Sequence, residues 1–175
     1  MIDLVTHDAN LRAIQEVVSG LRPWAVIHGS VLGFVGAIDF GTFDLVYADL
    51  PYCTGQDFYL RKSKTLAYSD RYDSPRVWAE EMAELVLAVR DRVKCGGNLL
   101  THVDWRYSHL LRAEIAKYIE GTALRHSYDL TNEIVWRYRR MPSKSSRQFQ
   151  SVHDTIYRWT RRGAPPIFHQ LYEPL

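Results

Sequence analysis

The sequence predicts an α/β domain, because short apolar segments with strand character alternate with longer segments that have helical periodicity. A chain of 175 residues is long enough for one domain with a buried core. Its 46% hydrophobic and 24% charged residues are ordinary for a globular protein. The alternation predicts a mainly parallel sheet, and two consecutive strand segments near the C-terminus predict an antiparallel strand there.

The first part of the chain predicts a helix, a buried strand and a short helix. Residues 8–19 carry apolar side chains at helical spacing, and Gly20 and Pro23 end this pattern. Residues 24–28 are apolar and predict a short buried strand. Residues 31–38 predict a second, short helix.

The middle of the chain predicts a strand, a long loop and a well-defined helix. Residues 43–48 form an apolar strand segment, whereas residues 53–73 are polar and aromatic without a clear period. Loops of that length are often lids or binding loops. Ser74 and Pro75 predict a helix start, with a capping hydroxyl and a proline in the first turn. The apolar stripe that follows, which includes Trp78, predicts a helix that ends before residue 95.

The last part of the chain predicts two strands around a basic loop, preceded by a strand and a helix. The strand covers residues 98–103 and the helix residues 107–119. Residues 133–136 and 153–159 predict strands that pair antiparallel, because one loop, 139–151, connects them. Trp78 and Trp136 are both expected in the core.

Basic residues concentrate near the C-terminus, although the net charge of the chain is only +2. Between residues 137 and 162 the sequence has eight lysines and arginines, and Asp154 is its one acid. Such an excess indicates contact with a polyanion, and an ordinary solvated face is the alternative. The eight residues are Arg137, Arg139, Arg140, Lys144, Arg147, Arg158, Arg161 and Arg162.

Composition also excludes several classes of protein. No apolar run approaches the ~18 residues of a membrane span, and the N-terminus lacks the pattern of a signal peptide, so we expect a cytoplasmic protein without membrane contact. Cys53 and Cys95 are too few for a disulfide framework or a Cys-only zinc site. No His, Asp and Glu cluster has metal-ligand spacing, so we expect no structural metal. For Cys53, packing is favoured over a nucleophilic role.

The most informative motif is Asp49-Leu50-Pro51-Tyr52, directly after the strand segment 43–48. In open α/β sheets ligands bind beyond the carboxyl ends of the strands. The Asp49 carboxylate and the Leu50 carbonyl can accept the two N–H bonds of an exocyclic amine. Pro51 stiffens the turn, and Tyr52 can stack on a flat ring. A nucleobase must leave the duplex to reach such a pocket. For the tetrapeptide alone, a simple strand-ending turn is the alternative.

Five motifs in order resemble the DNA amino-methyltransferases, which methylate adenine at its 6-amino group or cytosine at its 4-amino group. Their signature is Asp/Asn/Ser-Pro-Pro-Tyr/Phe, often followed by Asn-Thr-Gly in adenine enzymes of restriction–modification systems. Residues 49–55 of this chain read Asp-Leu-Pro-Tyr-Cys-Thr-Gly. Residues 26–30 resemble the strand and Gly-Asp element ahead of the signature, and residues 96–104 resemble the glycine-rich turn, strand and acid after it. Residues 132–136 and 153–157 resemble the later strand pair.

This resemblance implies a Rossmann-like methyltransferase fold, incomplete in this chain, over residues 24–162. Residues 1–23 would form an N-terminal helix and residues 163–175 a tail. It implies S-adenosylmethionine as cofactor and DNA as partner, with adenine as the target base. The implied catalytic residues are Asp49, Leu50, Pro51 and Tyr52; the cofactor contacts are Gly29, Ser30, Asp49, Thr54 and Gly55; the nucleic-acid contacts are Phe58, Arg137, Arg139, Arg140, Lys144, Arg147 and His153.

Three departures from the family pattern modify these expectations. Leu50 replaces the first proline of the signature, and Ser30 replaces an acid. The Gly-x-Gly turn that binds the cofactor in this family does not occur in the sequence. We therefore expect a second polypeptide to supply it; a truncated chain or an inactive remnant would have the same sequence. A non-catalytic nucleic-acid-binding subunit, and a methyltransferase for RNA or a glutamine side chain, remain alternatives.

Overall fold

The computed structural model describes residues 4–61, 64–120, 128–139, 147 and 149–169. None of the helices within these ranges is long and apolar enough to cross a membrane. The helices are α1 (Leu4–Val18), α2 (Val31–Phe34, continued by a 3-10 turn at Val35–Ala37), α3 (Pro75–Arg90) and α4 (Ser108–Glu120); the strands are β1 (Phe43–Asp49), β2 (Asp57–Tyr59), β3 (Leu66–Ser69), β4 (Val93–Asp104), β5 (Tyr128–Arg137) and β6 (His153–Arg161).

A four-stranded sheet in the order β1-β4-β6-β5 forms the centre of the fold. β1 pairs parallel to β4, and β6 lies antiparallel to both β4 and β5. Three strands therefore run in one direction and β6 runs against them, which confirms the predicted antiparallel strand near the C-terminus. Because β6 lies between β4 and β5, one of the three pairings is parallel. The sheet is thus mixed. The expectation of a mainly parallel sheet is corrected, because two of its three described strand pairings are antiparallel.

Helix α3 begins where the sequence predicts. The Ser74 hydroxyl oxygen accepts a hydrogen bond from the Val77 N–H (3.2 Å), and Pro75 occupies the first turn. The helix ends at Arg90, ahead of residue 95 as expected. Trp78 is fully buried in the core, which confirms its predicted position.

The core lies between helices α3 and α4 and one face of the sheet. Alternate residues of β4, such as Leu99 and Val103, point toward the helices and are fully buried. Burying one aliphatic side chain of this size contributes about 1.5–3 kcal/mol to folding. The other buried members include Met82, Val86, Leu111, Ile115, Tyr157 and Trp159.

Residues 24–28 do not form the predicted strand. Trp24 and Val26 are exposed, and no strand among the described residues pairs with this segment. A strand needs a neighbour to satisfy its N–H and C=O groups. The His28 carbonyl instead accepts a hydrogen bond from the Asn10 side-chain amide in α1 (3.0 Å).

Trp136 does not lie in the core either, because it is 56% exposed. It occupies β5, an edge strand, and pairs with Asp154 on the face of the sheet opposite to α3 and α4. The long segment 53–73 also differs from expectation. It contains a two-stranded hairpin, β2–β3, which the sequence did not reveal.

Gly96 in β4 makes room for the chain after β6. It has a φ of +78°, and its carbonyl accepts a hydrogen bond from the Ile167 N–H (2.8 Å). A Cβ atom at this position would overlap the carbonyl oxygen of Pro165. The glycine is therefore needed both for its backbone conformation and for this close approach.

We predict that Gly96→Ala lowers the free energy of unfolding by about 1–3 kcal/mol, because it strains the backbone and displaces residue 165. Gly36→Ala is the matched control, because a Cβ there meets no atom within 4 Å. Urea unfolding followed by circular dichroism measures both variants. Equal stability of Gly96→Ala and the unmodified chain would contradict this account.

Candidate active site

The turn after β1 is fixed by two other elements. The Leu50 N–H donates to the His102 carbonyl of β4 (3.2 Å), and the Trp78 indole N–H of α3 donates to the Pro51 carbonyl (2.8 Å). The Leu50 side chain is buried in the core. Burial and hydrogen bonds therefore hold the turn at Leu50, where the chain has no proline.

A buried carboxylate, Asp70, holds the loop that follows this turn. Asp70 is 2% exposed and accepts hydrogen bonds from the N–H groups of Cys53 and Thr54 (2.9 Å each). The Thr54 hydroxyl donates to the same carboxylate (2.7 Å). These bonds keep Cys53 at a φ of +56°, which is uncommon for a residue other than glycine. No motif in the sequence marks Asp70, because its partners lie 16–17 residues away across an aperiodic loop.

The predicted catalytic residues surround a cavity of about 270 Å³. The Asp49 side chain is 65% exposed, so it points away from the protein interior. Cavities near 300 Å³ are at the small end of ligand pockets. The space therefore suits one flat ring better than a large ligand. Its lining residues are Asp49, Leu50, Pro51, Tyr52, Thr54, Phe58, Tyr68 and Asp70.

His102 lies beside Asp49 because the parallel register of β1 and β4 pairs these two residues. Its Nδ1 is 2.6 Å from the Tyr47 hydroxyl and 3.5 Å from Asp49 Oδ1. Its Nε2 is 3.5 Å from Asp154 Oδ2. The Tyr52 hydroxyl donates to Asp49 Oδ1 (3.0 Å). His102 on its apolar strand is therefore hydrogen-bonded to the cluster at the end of β1.

The electrostatics of this cluster keep its phenols protonated. Burial, followed by the hydrogen bond to the Asp49 carboxylate, raises the pKa of Tyr52. Burial and the charges of Asp49 and Asp154 raise the pKa of Tyr47. Burial and the charge of Asp70 raise the pKa of the Cys53 thiol, which disfavours the thiolate. This agrees with packing rather than nucleophilic chemistry for Cys53.

The structure brings together part of the predicted cofactor set. Thr54 lines the same cavity as Asp49, and the Gly55 N–H donates to the Asp70 carbonyl within the same loop (3.0 Å). Gly29 lines a second, apolar cavity of about 360 Å³ together with Phe43, the first residue of β1. Ser30, the next residue, precedes α2. The two ends of a seven-residue strand are about 20 Å apart. Gly29 and Asp49 therefore line different cavities.

Three members of the basic run have partners within the chain, and the burial of Arg158 corrects its assignment to a polyanion surface. Arg158 is buried and donates to the side-chain oxygens of Asn98 (2.8 Å) and Asn132 (3.1 Å). Arg161 donates to backbone carbonyls, including that of Asp91 (3.1 Å). Arg162 forms an ion pair with Asp129 (2.8 Å through Nε).

Other basic residues remain at the surface. Arg137 ends β5 and Arg139 lies two residues further along the chain; both are exposed, as is Arg147. His153 begins β6, with its ring centroid 5.9 Å from that of Trp105. Arg140 and Lys144 lie outside the described residues. Within the described ranges, no group of three or more His, Cys, Asp and Glu residues could hold a metal ion.

We predict that Asp70→Asn destabilises the chain by about 1–3 kcal/mol, because the amide cannot accept all three hydrogen bonds and buries an extra donor. Asp44→Asn, at an exposed pair with Lys94 (2.9 Å), should cost less than about 1 kcal/mol. Chemical unfolding compares the two variants. If both variants lose the same small amount of stability, Asp70 does not hold the loop.

Comparison with known proteins identifies the family. A family profile described as DNA methylase, covering N6 and N4 methyltransferases, matches residues 43–172. Because this match covers more than half of the chain, the protein belongs to that family of DNA methylases. A search among curated proteins finds no match.

Two solved structures are similar to this chain at low sequence identity. The PvuII DNA methyltransferase, which is cytosine-N4-specific, is 13% identical with a TM-score of 0.51, and the match covers 79% of this chain and 49% of that enzyme. The M1.HpyAVI–SAM complex is 12% identical with a TM-score of 0.40, over 93% of this chain and 61% of that one. The chain thus spans about half the length of the PvuII enzyme. The first match shows a fold in common with that enzyme.

Proposed function

We propose that this chain is the catalytic part of an S-adenosylmethionine-dependent DNA amino-methyltransferase that acts on a flipped base. One observation carries the proposal. In a chain of the DNA methylase family, the exposed Asp49 carboxylate and Tyr52 line one cavity on a turn that β4 and α3 hold in place. A binding subunit without catalysis does not need a carboxylate held in this way.

The chemistry follows from the acceptors at the turn. An exocyclic amine is a weak nucleophile, because its lone pair is delocalised into the ring. The Asp49 carboxylate and the Leu50 carbonyl accept its two N–H bonds and favour a pyramidal nitrogen, while Tyr52 stacks on the ring. Asp49 and Leu50 would so orient the nitrogen toward the methyl group that the cofactor would supply. The amine needs to lose a proton only once it is cationic, so Asp49 orients the amine and need not be a strong base.

For the target base we propose adenine. Thr54 and Gly55 follow Tyr52, as they do in the extended signature of adenine enzymes, and Asp70 holds this loop against the cavity. Nucleoside analysis of a methylated duplex distinguishes 6-methyladenine from 4-methylcytosine. Arg137, Arg139 and Arg147 would hold backbone phosphates, which contributes affinity rather than sequence choice.

The described residues fit S-adenosylmethionine only in part. When bound, that cofactor supplies the methyl group. The Asp49 carboxylate suits its ammonium end, whereas Gly29 and Ser30 lie at the other end of β1. We therefore propose that the glycine-rich turn comes from a second polypeptide that extends the sheet at β1.

The free edge of β1 supports this second proposal. Among the described strands β1 has one neighbour, β4, so its other edge is unpaired. Leu45 and Tyr47 are each more than half exposed on the face opposite to the helices. Proteins seldom leave an apolar edge strand uncovered, because it pairs readily with other chains.

In the enzyme reconstituted with its second polypeptide, we predict that Asp49→Asn lowers the single-turnover rate of methyl transfer by about 10²–10³-fold, because the amine loses an anionic acceptor. Asp44→Asn on the same strand is the control and should retain the rate. Both variants should bind DNA as tightly as the unmodified chain. Asp49→Asn with full activity would remove Asp49 from the mechanism.

We further predict that methylation requires a polypeptide carrying a strand, a Gly-x-Gly turn and a helix. The product of a neighbouring reading frame with those elements should co-purify with the chain and restore activity. Leu45→Lys should abolish co-purification, because a charge beside the β1 edge opposes strand addition. Full activity of the chain alone would contradict the proposal.

A further inference from the structure

The hairpin β2–β3 forms one wall of the catalytic cavity. Phe58 and Tyr68 are paired across its two strands, and both line the cavity. Their rings are stacked, with centroids 4.6 Å apart and an interplanar angle of 16°. At its root, Asp57 accepts hydrogen bonds from the Ser69 hydroxyl (2.7 Å) and from Arg71 (3.0 Å). The hairpin therefore starts from a fixed position next to Asp49.

Beyond the cavity the same hairpin exposes large apolar side chains. Tyr59, Leu60, Leu66 and Tyr68 are each more than half exposed. Backbone hydrogen bonds join the described residues on either side of the turn: the Leu60 N–H donates to the Thr65 carbonyl, and the Leu60 carbonyl accepts from the Lys64 N–H (2.9 Å each). Contiguous exposed apolar side chains of this kind mark interaction surfaces.

The positive charge on either side of the hairpin turn favours an anionic partner. Arg61 and Lys64 lie on either side of the turn, and the sequence from residue 58 to residue 69 contains no acid. The nearest carboxylate at the root, Asp57, is already paired with Arg71. A cationic tip attracts a polyanion, whereas apolar side chains alone would fit a protein partner equally well.

We propose that the hairpin β2–β3 engages duplex DNA: Arg61 and Lys64 bind backbone phosphates, and Leu60 enters the base stack beside the everted base. This inference rests on the proposed function. Apolar wedges of this kind unstack adjacent bases in other DNA-binding proteins. The position of the hairpin supports the assignment, because the residues at its root line the cavity that would receive the base. A wedge at that place keeps the space left by the flipped base from closing.

Binding of a fluorescein-labelled 30-bp duplex to the full chain tests the phosphate contacts. The double variant Arg61→Ala/Lys64→Ala should bind about tenfold more weakly at 100 mM salt, and the slope of log K against log salt should fall by about 2. Val26→Ser, at an exposed apolar residue away from the hairpin, is the control for surface changes and should bind normally. Unchanged affinity and slope in the double variant, or tighter binding of an RNA duplex of the same sequence, would overturn the proposal.

A second pair of duplexes tests the wedge. One carries a paired adenine and the other carries the same adenine opposite an abasic site, where unstacking costs less. Leu60→Ser should weaken binding to the paired duplex about tenfold relative to the duplex with the unpaired adenine. Equal effects on the two duplexes would overturn the wedge. Failure of this inference can be distinguished from failure of the proposed function. Methylation that does not depend on the hairpin refutes this inference alone. DNA binding that depends on the hairpin, without methylation, refutes only the enzyme assignment.

Discussion

The parallel pairing of β1 with β4 is the constraint on which the candidate site depends. It aligns the carboxyl ends of two strands, and its register sets Asp49 directly beside His102. Ligands bind at this end of the strands in open α/β sheets. Asp154 on β6 reaches the same cluster from the third strand. Without this register, the imidazole of His102 would not meet the carboxylate and the two phenols, which all come from residues 47–52.

The turn that carries Asp49 is rigid for reasons that extend beyond its proline. A strand, a helix and a buried carboxylate each bind one part of the segment from Leu50 to Thr54. The family signature uses two prolines for stiffness, whereas this chain has one proline and a buried leucine. In this chain, packing and long-range hydrogen bonds thus provide stiffness that proline rings would otherwise give to the turn.

Much of the fold could be predicted from local signals. The cap at Ser74, the strand before Asp49 and the antiparallel pair near the C-terminus each follow from residues close together in sequence. The errors concern partners distant in sequence. Residues 24–28 have the apolar character of a strand, but only a neighbouring strand could make them one. Trp136 is hydrophobic but lies on an edge strand.

The site shows the same division between local and distant information. The motif at residues 49–52 was visible, because its four members are consecutive. Asp70 was not visible, because a single aspartate in an aperiodic segment carries no pattern. Arg158 was misassigned, because the sequence does not distinguish an arginine that is buried against two asparagine side chains from an arginine that faces solvent. His102 could have been found by asking which residues end the strand next to Asp49.

The hydrogen bond from the Trp78 indole to the Pro51 carbonyl links the hydrophobic interior to the turn that carries Asp49. The Trp78 ring also lies against Tyr107 at the start of α4, with centroids 6.2 Å apart. Catalytic geometry commonly tolerates only about 1 Å of displacement before rates fall a hundredfold. Interior substitutions that move α3 slightly would therefore lower the turnover rate before they lowered the thermal stability. The chemistry proposed at the sheet edge would thus restrict sequence drift in the interior of this chain.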